Sequence, residues 1–198
     1  MILLSTAQAA EELNRGFNTT SITAEKVRAL VRTGAFKDLG QGRSVRIALP
    51  DIQAFVGRVR FVTPSQWPAK WPLFRVSLLG LRKDEIVDAK GLILRTYAGV
   101  DYSDGSGIST SMRELAWTGV WEVSTRNIEL AVRTGAILFG TTKGYVDPKY
   151  VRQIVGARRT PSGSRIWWET VPVPDQVKKF VGTGLWMPVK PGRESDWA

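Results

Sequence analysis

Apolar side chains at Ile22, Val27, Leu30 and Val31 fall on one helical face, and the flanking residues supply both ends of that helix. Thr23 stands as its N-cap, with Lys26 at the third helical position, and Gly34 stops it from the C′ position. Upstream, Ser5 or Thr6 caps a first helix over Ala7–Asn14, with Glu11 and Glu12 outward, and the segment 16–21 is turn-rich. Downstream, Gly40-Gln-Gly-Arg43 predicts a turn between short β segments, and Ser44–Leu49 alternates polar and apolar. Pro50-Asp51 opens a third helix with Ile52, Phe55, Val56 and Val59 inward. The predicted order over residues 1–60 is helix, helix, hairpin, helix.

Four separated stretches in that order carry a family resemblance. Thr6-Ala-Gln-Ala-Ala10, Ile22 through Gly34, Gly42-Arg-Ser-Val-Arg-Ile47 and Leu49-Pro-Asp-Ile-Gln-Ala-Phe55 resemble the excisionase/MerR-type winged helix-turn-helix. The turn between the first two helices is longer than usual for that family, and Ala24-Glu25 stand where it often has basic residues. The resemblance implies a double-stranded DNA binder that acts in transcription control or as a recombination directionality factor of a phage or mobile element. Burying the apolar stripe of the second helix turns Thr23, Glu25, Lys26, Arg28 and Arg32 to the opposite face, where a helix fits the major groove. The hairpin adds Gln41, Arg43, Ser44 and Arg46 for backbone or minor-groove contacts.

The pattern changes near residue 62. All eight Trp lie at position 67 or later, and Thr63–Pro72 contains three prolines, which suits a connector over 62–72. Residues 73–198 then read as mainly β, with runs at Leu73–Leu79, Leu92–Tyr97 and Gly119–Val123 and a turn or loop at Asp101–Gly107. Helices are expected over Ser109–Trp117 with Met112, Leu115 and Ala116 inward, over Lys149–Val155 after Asp147-Pro148, and over Pro174–Val181. Arg158–Arg165 reads as a basic hairpin tip before Ile166-Trp-Trp168. There Arg158, Arg159 and Arg165 can hold phosphate while Trp167 or Trp168 stacks on a base, although adjacent strand residues face opposite ways and one Trp belongs to the core.

The expected fold class is therefore α+β, a winged helix-turn-helix followed by a barrel-like β domain. Glu114–Val123, Leu130–Leu138 and Arg165–Glu169 with Val181-Gly182 resemble the small PUA/EVE-like barrels, which implies a reader of a modified or flipped base. A competing reading is a second winged helix. Val31-Arg-Thr-Gly-Ala35 recurs as Val132-Arg-Thr-Gly-Ala136, and Pro50–Gly57 is loosely echoed in Lys149–Gly156, although shared helix-ending chemistry explains the match as well.

Composition narrows the chemistry. The 198 residues contain neither His nor Cys, which removes disulfides, thiol nucleophiles, imidazole bases and His- or Cys-held metals. The net charge of +10, spread along the chain, points to an anionic partner. Gly135–Thr142 misses the phosphate-loop pattern by its lysine, where Thr141 stands. Asp84, Glu85, Asp88, Asp101 and Asp104 read as a solvated acidic loop rather than a Mg²⁺ site. No cofactor and no catalytic residue is expected. With no apolar run near about 20 residues and no signal-like start, the expectation is a cytoplasmic, non-enzymatic protein that binds duplex DNA as a homodimer or cooperative array. A virion structural or packaging role, with the helix-turn-helix as an assembly surface, is the third reading.

Overall fold

In the computed structural model, which describes residues 1–103, 105, 107–163, 165–188 and 195–197, a reciprocal capping box opens the first helix. The Gln8 amide donates to Ser5 Oγ (3.3 Å) and the Ser5 amide to Gln8 Oε1 (2.9 Å), starting α1 (Thr6–Phe17). This helix outruns the expected Ala7–Asn14 by a turn. Gly16 does not break it, because the missing Cβ is what lets Val56 of the third helix approach: a methyl there would lie 2.5 Å from Val56 Cγ1. Asn18 takes the left-handed stop instead, at φ 51°. Asn14 then ties down the long turn, donating to the Ile22 carbonyl (2.8 Å) and accepting from its amide (2.9 Å).

The second helix, α2 (Ala24–Arg32), starts at its Thr23 cap as predicted, and α3 (Leu49–Arg58) has Pro50 in its first turn. The wing differs. The strand β2 (Ile47–Ala48) does not pair with the segment before the Gly40–Arg43 turn. It pairs antiparallel with β1 (Leu3–Leu4), at the start of the chain. Residues 37–46 form a loop in place of a ladder, and a two-residue strand is too short to specify more.

In the second part, the largest sheet has the order β13 (Ser195–Trp197), β4 (Leu73–Ser77), β8 (Ile137–Thr141), β10 (Val151–Arg159), β11 (Ile166–Val171) and β7 (Gly119–Trp121). Strands β4 and β8 run parallel and the remaining neighbours antiparallel. A separate hairpin, β5 (Arg82–Val87) with β6 (Ile93–Ala98), packs on α4 (Thr110–Thr118). Helices α5 (Thr125–Thr134) and α6 (Asp175–Val181) complete this half. The architecture is thus mixed α+β, and among the described residues no sheet closes into a barrel.

Three expectations fail for identifiable reasons. Lys149–Val155 is no helix: Pro148–Tyr150 forms a single 3₁₀ turn, and the chain then enters β10, where Val151 and Ile154 are buried. Pro50–Gly57 is helical while its echo is a strand, so the repeat is not a second winged helix. What the two copies share is a helix stop. Ala35 and Ala136 donate back to the carbonyls of Leu30 and Ala131, Gly34 and Gly135 adopt φ of 77° and 58°, and the Thr33 and Thr134 hydroxyls bond the preceding turn. Met112 points outward at 37% exposure, whereas Ala116 and Trp117 face the core.

Segment 62–72 is folded onto the core rather than strung between units. Trp67 is buried and stacks edge-on against Phe139 at 4.9 Å. Beyond it the halves interlock. Strand β3 (Arg60–Phe61) pairs in parallel with β12 (Leu185–Trp186), which pairs on its other side with β9 (Tyr145–Val146). Tyr145 and Trp186 are members of the N-terminal core with Leu13, Leu30 and Phe55. A run of aromatic contacts links Phe36, Phe55, Tyr145, Tyr102, Tyr150 and Trp117 with centroid separations of 4.9, 4.9, 5.3, 5.2 and 5.7 Å, joining one core to the other. Fully burying each such ring contributes about 1.5–3 kcal/mol from area alone.

Candidate nucleic-acid interface

The face that α2 shows to solvent is narrower than its sequence suggests. Glu25, Arg28 and Arg32 are exposed, but Ala29, one turn along the same flank, is buried at 6% and Lys26 is half-buried. The second half of the chain abuts both ends of this helix. Gly80 lies against the end of the helix, where a Cβ would meet the Arg32 carbonyl at 2.6 Å, and the Tyr102 amide donates to the Thr33 carbonyl (2.7 Å). At the other end the Lys143 charge acts on both Glu25 and Lys26. Lys26 donates to the Ser21 carbonyl (2.7 Å), and burial, with a contribution from Lys143, pulls its ammonium below the usual lysine range. Thr23 spends its hydroxyl as the cap, accepting from the Lys26 amide. Of the five residues predicted for this face, three therefore form a free ridge.

That ridge is partly neutralised from within. Glu25 pairs with Arg32 at 2.7 Å and with Arg28 at 3.6 Å, and the Arg32 hydrogen bond holds its carboxyl below the usual glutamate range. Exposed pairs of this kind are worth little energetically. They do set orientation, however, and leave one net positive charge on three residues.

The loop 37–46 is freer. Asp38 organises it, its Oδ1 accepting from the Gly40 amide (2.8 Å) and the Arg46 amide (3.1 Å), while the Leu39 amide donates to the Arg46 carbonyl (2.8 Å). Gly40 is required there, since a Cβ would collide with the Ser44 carbonyl. Gln41, Arg43 and Ser44 are exposed and Arg46 half-buried, and among the described residues their side chains have no hydrogen-bonding partner. The two backbone bonds, Arg46 first, hold the Asp38 carboxyl below the usual aspartate range. Its contribution is complete above the ordinary unfolded value of about 3.9 and disappears as pH falls through the lower folded value. Hydrogen exchange is expected to show the Gly40 and Arg46 amides losing protection on that acid side, and in Asp38→Ala already at neutral pH. Unchanged protection in the variant would show that the turn holds its own shape.

The second predicted site needs correction. Trp167 and Trp168 are both buried, at 2% and 3%, so neither offers a face to a base. Their alternation is as expected, but both sheet faces are covered. Trp168 packs edge-on against Phe74 at 5.3 Å, and Trp167 lies over Gly119 with the Arg158 guanidinium 5.3 Å from its ring centre. Arg159 donates to the Gly163 carbonyl (3.0 Å), and Arg165 is exposed. The hairpin keeps its basic character and loses its stacking platform; Ser164 at its tip lies outside the described residues.

Residues 135–142, the near miss to a phosphate loop, are largely the buried central strand β8. Asp84 and Glu85 belong to strand β5 rather than a loop, Asp88 caps the following turn, Asp101 bonds Ser103, and Asp104 lies outside the described residues. Among the described residues no three acidic side chains gather as a metal site, and no helix is long and apolar enough to cross a membrane.

One charged group escaped the sequence reading. Arg95 sits in the apolar run Leu92–Tyr97 and is 5% exposed, bonding the Gly119 carbonyl (2.7 Å) and paired with Asp84. A lone charge inside an otherwise apolar strand was the available signal. These features define a basic α+β protein whose three N-terminal helices are built into a larger body. No family model matches the chain, and no curated protein or solved structure matches it.

Proposed function

We propose that this protein binds double-stranded DNA without catalysing a reaction, and that it does so through the phosphate backbone, using the loop 40–46 and the Arg28/Arg32 ridge. The observation that carries the reading is the loop itself, an Asp38-braced turn that holds Arg43 outward with no internal partner. The overall +10 charge supports it. The burial of Ala29 and the Glu25 clamp argue for backbone contact over base reading by α2, because a helix that is flanked and partly neutralised cannot seat deeply in the major groove. Regulation of transcription and recombination directionality in a phage or mobile element both accommodate such a protein, acting as a dimer or cooperative array.

The test is a fluorescence-anisotropy titration on random duplex DNA across salt concentrations. Wild type is expected to show a steep negative slope of log affinity against log salt. Arg43→Ala should reduce that slope by about 1 and weaken all sequences alike. Glu25→Gln is expected to tighten binding, since it releases two arginines. Weaker binding in Glu25→Gln would mean that the carboxylate reads a base and that α2 enters the groove. Absence of salt-dependent binding would sink the reading and leave assembly as the use of the helix-turn-helix.

A further inference from the structure

Between the β5–β6 hairpin and the β7 edge of the main sheet lies a cavity of about 220 Å³. The residues that line it include Arg82, Arg95 and Arg165, one acidic residue (Asp84), and the apolar Leu78 and Trp121. The three guanidiniums come from different elements: Arg82 opens β5, Arg95 lies within β6, and Arg165 immediately precedes β11. Arg95 feels both of the others as like charges. It is nearly inaccessible, and its Nε–H has no partner among the described residues, although Nη1 and Nη2 reach Gly119 and Asp84. Arg82 and Arg165 are exposed, and their guanidiniums make no ion pair or hydrogen bond among the described residues. The fold thus gathers three positive charges around one negative charge at a partly enclosed site, an arrangement that repels itself unless an anion completes it.

We propose that this cavity binds a small phosphomonoester, with the phosphoryl group held by Arg82, Arg95 and Arg165 and the remainder of the ligand against Leu78 and Trp121. A phosphomonoester carries roughly −1.5 to −2 charge at pH 7, which matches the excess of two positive charges. Guanidiniums present their donors in the fork that phosphate oxygens accept. The volume is below the roughly 300–1,000 Å³ of drug-sized sites, which favours a phosphate attached to one ring or short chain. A duplex backbone fits less well, because its phosphates stay on the outside of a wide rod while Arg95 is buried. The proposal does not rest on duplex binding by the N-terminal loop, which lies on other residues.

The experiment is isothermal titration of the full chain with inorganic phosphate, ribose 5-phosphate and adenosine monophosphate, with sulfate as the charge control. Saturable binding of at least one phosphomonoester, tighter than sulfate, is expected. Arg165→Ala and Arg82→Ala should each weaken it about 10-fold or more. Both side chains are exposed, so melting temperature should stay at the wild-type value, which separates lost binding from lost fold. Three results would overturn the proposal: no saturable heat with any probe, affinities for phosphomonoesters and sulfate that are equal, or binding indifferent to both substitutions. If instead the two variants weaken duplex DNA and no small probe binds, the arginines belong to the nucleic-acid surface and the cavity is not a ligand site.

Discussion

Trp186→Ala is expected to lower the stability of the whole chain by about 3–5 kcal/mol, the usual cost of truncating a buried Trp to Ala. Trp186 is completely buried in β12, the short strand that bridges β3 from the N-terminal half and β9 from the second. Its ring meets Phe17 of α1 at 6.2 Å, so a residue near the end of the chain fills the core built by its beginning. Urea unfolding followed by far-ultraviolet circular dichroism and by tryptophan fluorescence should give one coincident transition, displaced to lower denaturant in the variant. Two separated transitions, with only one displaced, would show that residues 1–61 fold as an independent unit. Trp186→Phe is the useful companion. The indole N–H is buried without a partner among the described residues, and such a group costs about 1–3 kcal/mol, so the Phe variant removes a penalty along with some volume. Its loss should be much the smaller of the two.

The second large effect is expected at Gly119. The Trp167 ring lies directly across this glycine, and a Cβ there would collide with the indole Cδ1, Cγ and Nε1. That ring is 2% exposed, so the packing around it leaves it little room to yield. Overpacking of this kind costs roughly 1–3 kcal/mol and sometimes more, and the rigidity places Gly119→Ala at the upper end. The carbonyl of Gly119 also anchors Arg95 at 2.7 Å, so the damage should reach the basic cavity. A thermal melt of Gly119→Ala against the double variant Gly119→Ala/Trp167→Leu checks the cause. The smaller side chain should recover part of the loss, whereas additive losses would place the strain elsewhere.

Local signals were legible because they act over a few residues. The Thr23 cap and the Gly34 stop satisfy backbone groups at the two ends of α2, and Pro50 fixes a backbone angle in the first turn of α3, so the sequence alone located those ends. The same locality explains the misleading repeat: Val-Arg-Thr-Gly-Ala is a complete set of helix-ending contacts and carries no information about the next segment of chain. The excess of basic residues, the absence of His and Cys, and the exposure of Arg28, Arg32 and Arg43 were likewise readable from sequence. Sequence could not tell that the expected helix Lys149–Val155 would give way from Val151 onward to β10, which pairs with β8 and β11. Nor could it tell that β2 would choose Leu3–Leu4 as its partner, since pairing between distant segments leaves no periodic mark. The site followed the same division. Which side chains are basic was written in the chain, but tertiary packing covered Ala29 and Lys26, buried both Trp167 and Trp168, and gathered Arg82, Arg95 and Arg165. Those outcomes depend on which surfaces meet across the fold, and burial is a property of the assembled body rather than of any stretch within it.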